Sequence, residues 1–285
     1  MIKAFCPGHV SCFFAPVITG DAVTTGSIGA GIRLDRGVTV TIEGRGGNRR
    51  TRVTMDGENC HAKVTEHVAA SLGPDKSFDI VIENALPVSQ GMGMSAAGAI
   101  ALGLCITSLK GLDEHEAYKA AHIAEVENGG GLGDVAGILG GRQPIRVKAG
   151  IQPYGRTVDT GIDMKLSLVT LGPKMDTRNI LSDPAAMAKI SRSGESCVDR
   201  YIERPSEKML YELSSEFSRS VGLETKGVKH ALSDLRGNGY GASMCMLGNS
   251  IFTNAEEDEV RDVLGDVRVI QCSSGAEGPR LIRTE

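Results

Sequence analysis

No stretch of the chain reaches 18 uncharged apolar residues, the length needed to cross a bilayer as a helix, so a helical membrane protein is not expected. The opening "MIKAFCPGHVSCFFAP" has no extended apolar core behind a basic flank, which argues against an export signal. Blocks of like charge are missing too. The 31 basic and 35 acidic residues are intermixed, with a net charge of −4, and leave no basic stripe to neutralise a nucleic-acid backbone or an anionic membrane. The seven cysteines form no C-x-x-C pair and lack zinc-type spacing to histidine. A disulfide framework and structural zinc are therefore both disfavoured, and a reducing cytoplasm fits. Internal repeats and low-complexity tracts are absent. So are two common nucleotide-binding signatures. No lysine precedes Ser95 as a P-loop requires, and Ala96 stands where the last glycine of G-x-G-x-x-G would be.

What is present is a chain of 285 residues, 41% hydrophobic, enough to bury one large core or two modest ones. Val38, Val40 and Ile42 alternate with polar residues, and Phe78, Ile80 and Ile82 keep the same two-residue step, so both segments are expected as strands. From Ser95 the chain is small and apolar on every face for about four helical turns, the pattern of a helix packed on all sides. A second helix is expected from Asp113, where Asp113 and Glu116 resemble a capping box, to the stop signal Asn128-Gly129. The Gly/Pro-punctuated stretch "RVKAGIQPYGRTVDTGID" suggests a domain boundary near residue 150. Beyond it, "KLSLVTLG", "ASMCMLGNSIF" and "VRVIQC" read as strands, and Leu210, Leu213, Phe217 and Val221 share one helical face. Strands and helices mix without a strict βαβ rhythm, which gives an α+β class.

Chemistry concentrates around glycine. In "PVSQGMGMSAAGAIALG", Gly91 and Gly93 free the backbone and expose amides just before the Ser95 helix, where the helix dipole adds to an anion site suited to phosphate. A tight turn that merely admits close helix packing is the plainer alternative. In "AEVENGGGLGDVAG", Glu125 and Asp134 bracket a second glycine stretch, a spacing that suits Mg²⁺, which takes few protein oxygens besides substrate phosphates. Solvated helix-end acids and an Asp134 N-cap are the bland alternative for these residues. A third cluster, "RGNGYGASMCMLG", leads into a strand and could be an ordinary hairpin turn.

Taken in order, "CPGHVSCFF", "P-x-x-x-G-x-G-x-S-A-A" and "G-N-G-Y-G-A-S" resemble the three motifs of the GHMP kinases, the galacto-, homoserine, mevalonate and phosphomevalonate kinase group. The resemblance spans almost the whole chain. Within that group, "PGHVSCFF", "SQGMGMSAAGA", "AEVENGGGLGDVAG" and "GGRQPIRVKAG" are most similar to the archaeal branch that phosphorylates pantoate on the route to coenzyme A. The resemblance implies an N-terminal ribosomal-protein-S5-like domain over 1–150, a C-terminal ferredoxin-like domain over 151–285, and an active site in the cleft between them. It further implies ATP and Mg²⁺, with pantoate as the small-molecule partner, and allows a homodimer.

Carried over residue by residue, Gly91, Met92, Gly93, Met94, Ser95 and Ala96 would wrap the ATP phosphates, Ser95 and Glu125 would hold the magnesium, and Asp134 would act on the attacking hydroxyl. Glu127 rivals Glu125 for the metal, although two residues apart on a helix point in different directions. The motif "PGHV" carries His9 where many GHMP kinases have lysine, so a lysine role does not transfer, and His9 is assigned to substrate binding; a core histidine is the alternative. Arg146 in "PIRV" would clamp the carboxylate of pantoate with its planar fork, with Arg142 as the alternative.

Overall fold

The computed structural model describes residues 1–46, 51–174 and 184–282. Two long strands, β1 (Ile2–Val17) and β2 (Gly26–Gly46), open the chain and pair antiparallel along nearly their whole length. They are followed by β3 (Arg52–Met55), β4 (Glu58–Cys60), α1 (Lys63–Leu72), β5 (Ser77–Asn84), α2 (Met94–Lys110), α3 (Glu114–Glu127), α4 (Asp134–Leu139), β6 (Pro144–Lys148) and β7 (Arg156–Asp159). The rest of the chain adds β8 (Lys165–Thr170), α5 (Pro184–Glu203), α6 (Glu207–Val221), α7 (Lys226–Gly237), β9 (Ala242–Met244), β10 (Ser250–Thr253), α8 (Glu257–Leu264), β11 (Val269–Ser273) and β12 (Arg280–Ile282).

These strands form an eight-stranded sheet, with a path β12-β1-β2-β5-β3-β4 and with β6 pairing β2 and β7, and a four-stranded antiparallel sheet β11-β8-β10-β9. The alternating segments expected around Val40 and Ile80 are β2 and β5, paired Val40↔Ile82 and Ile42↔Ile80. Strand β1 has no comparable alternation. It is buried on both faces, between α2 on one side and α5 on the other, and bulges between Pro7 and His9 and between Ser11 and Phe13 shift its facing. The larger sheet does not change over at residue 150, since β6 and β7 pair across it and β12 returns to β1 from near the C-terminus. The expected strand "ASMCMLGNSIF" divides into β9 and β10, joined by a turn at Cys245–Asn249.

Helix α2 is the core element of the larger sheet. Its residues from Ala96 to Thr107 are all buried, packed against β1, β2, α1 and α3. At Gly103 an added Cβ would lie 3.0 Å from the Cα of Ala117, so glycine there lets α2 and α3 cross closely. Asp113 caps α3 as expected, through a hydrogen bond from the His115 amide at 2.8 Å. Helix α6 buries Leu210, Leu213 and Phe217 and leaves Val221 partly buried. All seven cysteines are free, and among the described residues no helix is long and apolar enough to cross a membrane.

The packing of α2 gives opposite outcomes for its two interior glycines. Gly103→Val, which drives a branched side chain into Ala117, is expected to lower stability by about 1–3 kcal/mol. Gly98→Ala, where nothing lies within 4 Å of the added carbon, is expected to raise it by about 0.5–1 kcal/mol. Urea denaturation of both variants checks the pair.

Candidate active site

The loop between β5 and α2 is shaped by two left-handed glycines, Gly91 at φ 73° and Gly93 at φ 64°. A Cβ on Gly91 would meet the Met246 carbonyl at 2.6 Å, and one on Gly93 the His9 backbone at 3.0 Å. Both close approach and handedness thus require glycine. Gly93 is also the N-cap of α2, and that helix end has neither a capping side chain nor an acid in its first turn. The free amides and the positive end of a 17-residue helix therefore face outward together.

They open into a cavity of about 180 Å³ whose wall includes Gly91, Gly93 and Ser95 on one side and Glu125, Gly131 and Asp134 on the other. Met246 and Leu247, from the β9–β10 turn, close a third side. Ser89 (φ 62°) and Leu247 (φ 64°), both on this wall, hold left-handed backbone without being glycine, a strain that clusters at functional sites. Larger grooves of about 990 Å³ beside β3 and β4 and about 1020 Å³ beside α6 contain neither the Gly91/Gly93 loop nor the Glu125/Asp134 pair. Gly239, Tyr240 and Gly241 of the third glycine cluster line the latter groove, while Met246 and Leu247 of the same cluster reach the cavity.

Glu125 comes from the last turn of α3 and is 1% exposed. Ser95 Oγ donates to its Oε1 at 2.5 Å, and the Gly131 amide donates to Oε2 at 2.7 Å. Burial pushes this carboxyl up to about 7 and the charge of Asp134 adds to the push, against the two hydrogen bonds. Glu127 points elsewhere, to His67 on α1 at 3.6 Å, and is largely exposed. Asp134 begins α4. A Cβ on Gly131 would overlap the Asp134 Oδ2, so this one glycine separates the two carboxylates.

His9 and Arg146 lie behind the wall. The expectation placed His9 against substrate; the structure has it fully buried in β1, with Nδ1 2.9 Å from Asp134 Oδ1. Burial lowers its basicity, with Arg146 and Arg33 adding to the effect and Asp134 opposing it. Arg146, on β6, is 1% exposed, and Nε, Nη1 and Nη2 all lack a hydrogen-bond partner among the described residues. Its guanidinium sits beneath Gly133 and beside Gly29, where added Cβ atoms would lie 2.6 Å from Nε and 2.7 Å from Nη2. Desolvation lowers its pKa to about 10 despite the neighbouring charge of Asp134. Arg142, by contrast, is paired with Asp163 at 3.0 Å.

Ser95, Glu125 and Asp134 therefore meet around one cavity as the sequence suggested, with Arg146 at its back. Ser27, whose Oγ lies under Gly133 beside Arg146, also lines it, as do Met246 and Leu247; Ser27 did not stand out in the sequence, and the other two appeared there only within the third glycine cluster. Ser27 sits in an apolar strand with no signature of its own, and the Met-Leu pair reads as core.

Comparison with known proteins gives the family of the chain. Residues 59–142 match the family described as GHMP kinases N terminal domain. The chain is 32% identical to a pantoate kinase of Methanocaldococcus jannaschii over 91% of this chain and 95% of that protein. It is 31% identical to one of Thermococcus kodakarensis over 94% and 93%. A solved structure titled as a phosphotransferase related to the CoA biosynthesis pathway superposes with a TM-score of 0.88 at 29% identity, covering 99% of this chain and 98% of that one. The mevalonate-3-kinase of Thermoplasma acidophilum, at 14% identity, shares the fold with a TM-score of 0.65 over 100% and 99%. The chain belongs to the pantoate kinase family of the GHMP kinases.

Proposed function

We propose that the protein transfers the γ-phosphoryl group of ATP to a hydroxyl of pantoate, giving 4-phosphopantoate for coenzyme A biosynthesis. The observation that carries this reading is the buried guanidinium of Arg146, whose three nitrogens lack partners among the described residues, behind a cavity lined by Asp134. A buried, unpaired cation is costly, and a substrate carboxylate supplies its missing partner. The likeness to pantoate kinases narrows the class from carboxylate-bearing alcohols to pantoate. The cavity supports that narrowing, because Phe14, Met92, Met94, Leu132 and Leu247 offer an apolar wall to the dimethyl carbon of pantoate.

In this reading the amides from Gly91 to Ala96 hold the ATP phosphates, as an uncapped helix start favours. Glu125 and Ser95 would hold Mg²⁺, which, when bound, supplies charge neutralisation on the phosphate oxygens. The donor set fits. Glu125 is a desolvated carboxylate touched only by neutral donors, and a cation relieves it. Among the described residues no group of three His, Cys, Asp or Glu forms a metal cage, and Mg²⁺ takes most of its oxygens from phosphate and water. Asp134 accepts the hydrogen bond of the pantoate hydroxyl and aims its oxygen at the γ-phosphorus. The new O–P bond forms as the bond to the β-γ bridging oxygen breaks, and the hydroxyl proton moves toward Asp134 late, since a loose transition state needs little prior deprotonation. Residues 1–150 supply these groups, and 151–285 add the Met246-Leu247 wall. The free thiols and the absence of a basic stripe support a small-molecule enzyme of a reducing cytoplasm.

Coupled detection of ADP release with pantoate, homoserine, shikimate and mevalonate offered separately tests the reading. Turnover is expected with pantoate alone, and turnover with another alcohol but not pantoate refutes it. Arg146→Ala is expected to raise the KM for pantoate and to lower kcat/KM about 10- to 100-fold while leaving the KM for ATP unchanged. Pantoyl amide, expected to be a poor substrate of the native enzyme because it lacks the negative charge, should suffer far less from the same change. Arg146→Lys should not restore full activity, since an ammonium lacks the planar fork.

The raised carboxyl of Glu125 has a stability signature without metal. Because its folded pKa of about 7 exceeds the unfolded value, its contribution is fully present below the unfolded pKa and is lost as pH rises toward 7, by about 3 kcal/mol. In chelator, the stability of Glu125→Gln relative to the native chain should therefore grow between pH 5 and 8, as followed by urea denaturation at each pH. Added Mg²⁺ should narrow the difference by stabilising the native chain alone.

A further inference from the structure

His9 is held on every side. Its amide donates to the Met92 carbonyl of the phosphate loop at 3.0 Å, and Gly93 packs against its backbone. Its ring lies between Gly31 of β2 and Gly137 of α4, and a Cβ on either would overlap Nε2. Glycine in the middle of a helix costs about 1 kcal/mol relative to alanine, so a glycine kept at Gly137 is explained by the room the imidazole needs. The charged groups around the ring are Asp134, which bonds it, and Arg146 and Arg33, which oppose a second proton. Nδ1 is bonded to Asp134 Oδ1, and Nε2 has no hydrogen-bond partner among the described residues. Neither His9 nor Arg146 is on the cavity wall, but the His9 ring is already bonded to Asp134, which is on it.

We infer that His9 is a positioning residue for phosphoryl transfer: its Nδ1–H holds Asp134 Oδ1, so that Oδ2 is left to meet the acceptor hydroxyl. The inference rests on the role proposed above for Asp134. It gives the histidine of "PGHV" a function through the carboxylate rather than on the substrate. It also links the phosphate loop to the carboxylate through one residue, bonded to Met92 by its backbone and to Asp134 by its side chain.

Steady-state kinetics with ATP and pantoate on His9→Ala, His9→Asn, Asp134→Asn and the double variant His9→Ala/Asp134→Asn test it, with the Tm of each variant as the check on folding. His9→Ala should lower kcat about 10- to 100-fold with both KM values within about threefold of native, because an orienting group and not a substrate contact is lost. His9→Asn, whose side-chain amide can reach the position of Nδ1, should recover most of that loss. The double variant should be no slower than Asp134→Asn alone, since two residues acting through one carboxylate are not additive. A raised KM for pantoate with kcat intact, additive losses in the double variant, or His9→Asn no better than His9→Ala at equal Tm would each overturn the inference. If His9→Ala does not fold, Gly137→Ala displaces the ring with the imidazole retained, and unchanged kcat in that variant overturns it as well. Should the native enzyme ignore pantoate, the function proposed above fails separately, and the same cycle run on the alcohol that does release ADP still decides the role of His9.

Discussion

The hydrogen bond from Ser95 to Glu125 joins the first turn of α2 to the last turn of α3, and the site is assembled around it. Its geometry depends on how closely the two helices approach, which Gly103 sets by leaving room for Ala117. The Gly130-Gly131 turn then folds back over Glu125, with the Gly131 amide on Oε2, and delivers Asp134 at the start of α4. Serine, glutamate and aspartate are thereby placed by one helix pair and one turn, all within the stretch that matches the GHMP kinase N-terminal domain.

Stability is given up at this site. Arg146 is buried without a partner, Glu125 is buried with only neutral donors, and Ser89 and Leu247 hold strained backbone. The loop that carries the strain is anchored from the second sheet. Gln90 donates to the Gly172 carbonyl and accepts from the Asn249 amide, while its own carbonyl accepts from Ser250 Oγ at 2.5 Å. The Met246 amide, in turn, donates to Ser11 of β1 at 3.2 Å. Fixing the loop from both sheets holds the amides of Gly91 to Ser95 in one orientation, so that an anion bound there as proposed would not have to order them.

Much of this was legible in the sequence because the signals are local. Helix α2 follows from four turns of small apolar residues behind two glycines, α3 from the Asp113 cap and the Asn128 stop, and β2 and β5 from their two-residue alternation. Glu125, Asp134 and Ser95 were visible because motifs fix their spacing along the chain. Strand β1 was not visible, since burial on both faces and two bulges erase alternation. Nor were Ser27, Met246 and Leu247, whose part in the cavity depends on contacts between segments more than 100 residues apart in the chain.

The sequence by itself determined the residue types that can do the chemistry and the local elements that carry them, because turn glycines, helix caps and hydrophobic period act over a few residues. Only the tertiary structure decided which groups face the cavity. Of two glutamates two residues apart, Glu125 turns inward to Ser95 and Glu127 outward to His67. Of two arginines on neighbouring turns of chain, Arg146 is buried and unpaired while Arg142 meets Asp163. His9, read as a substrate ligand, is turned toward Asp134 by the glycines packed on its ring. Burial and pairing are properties of the packed chain, set by neighbours distant in sequence, and no spacing along the chain encodes them.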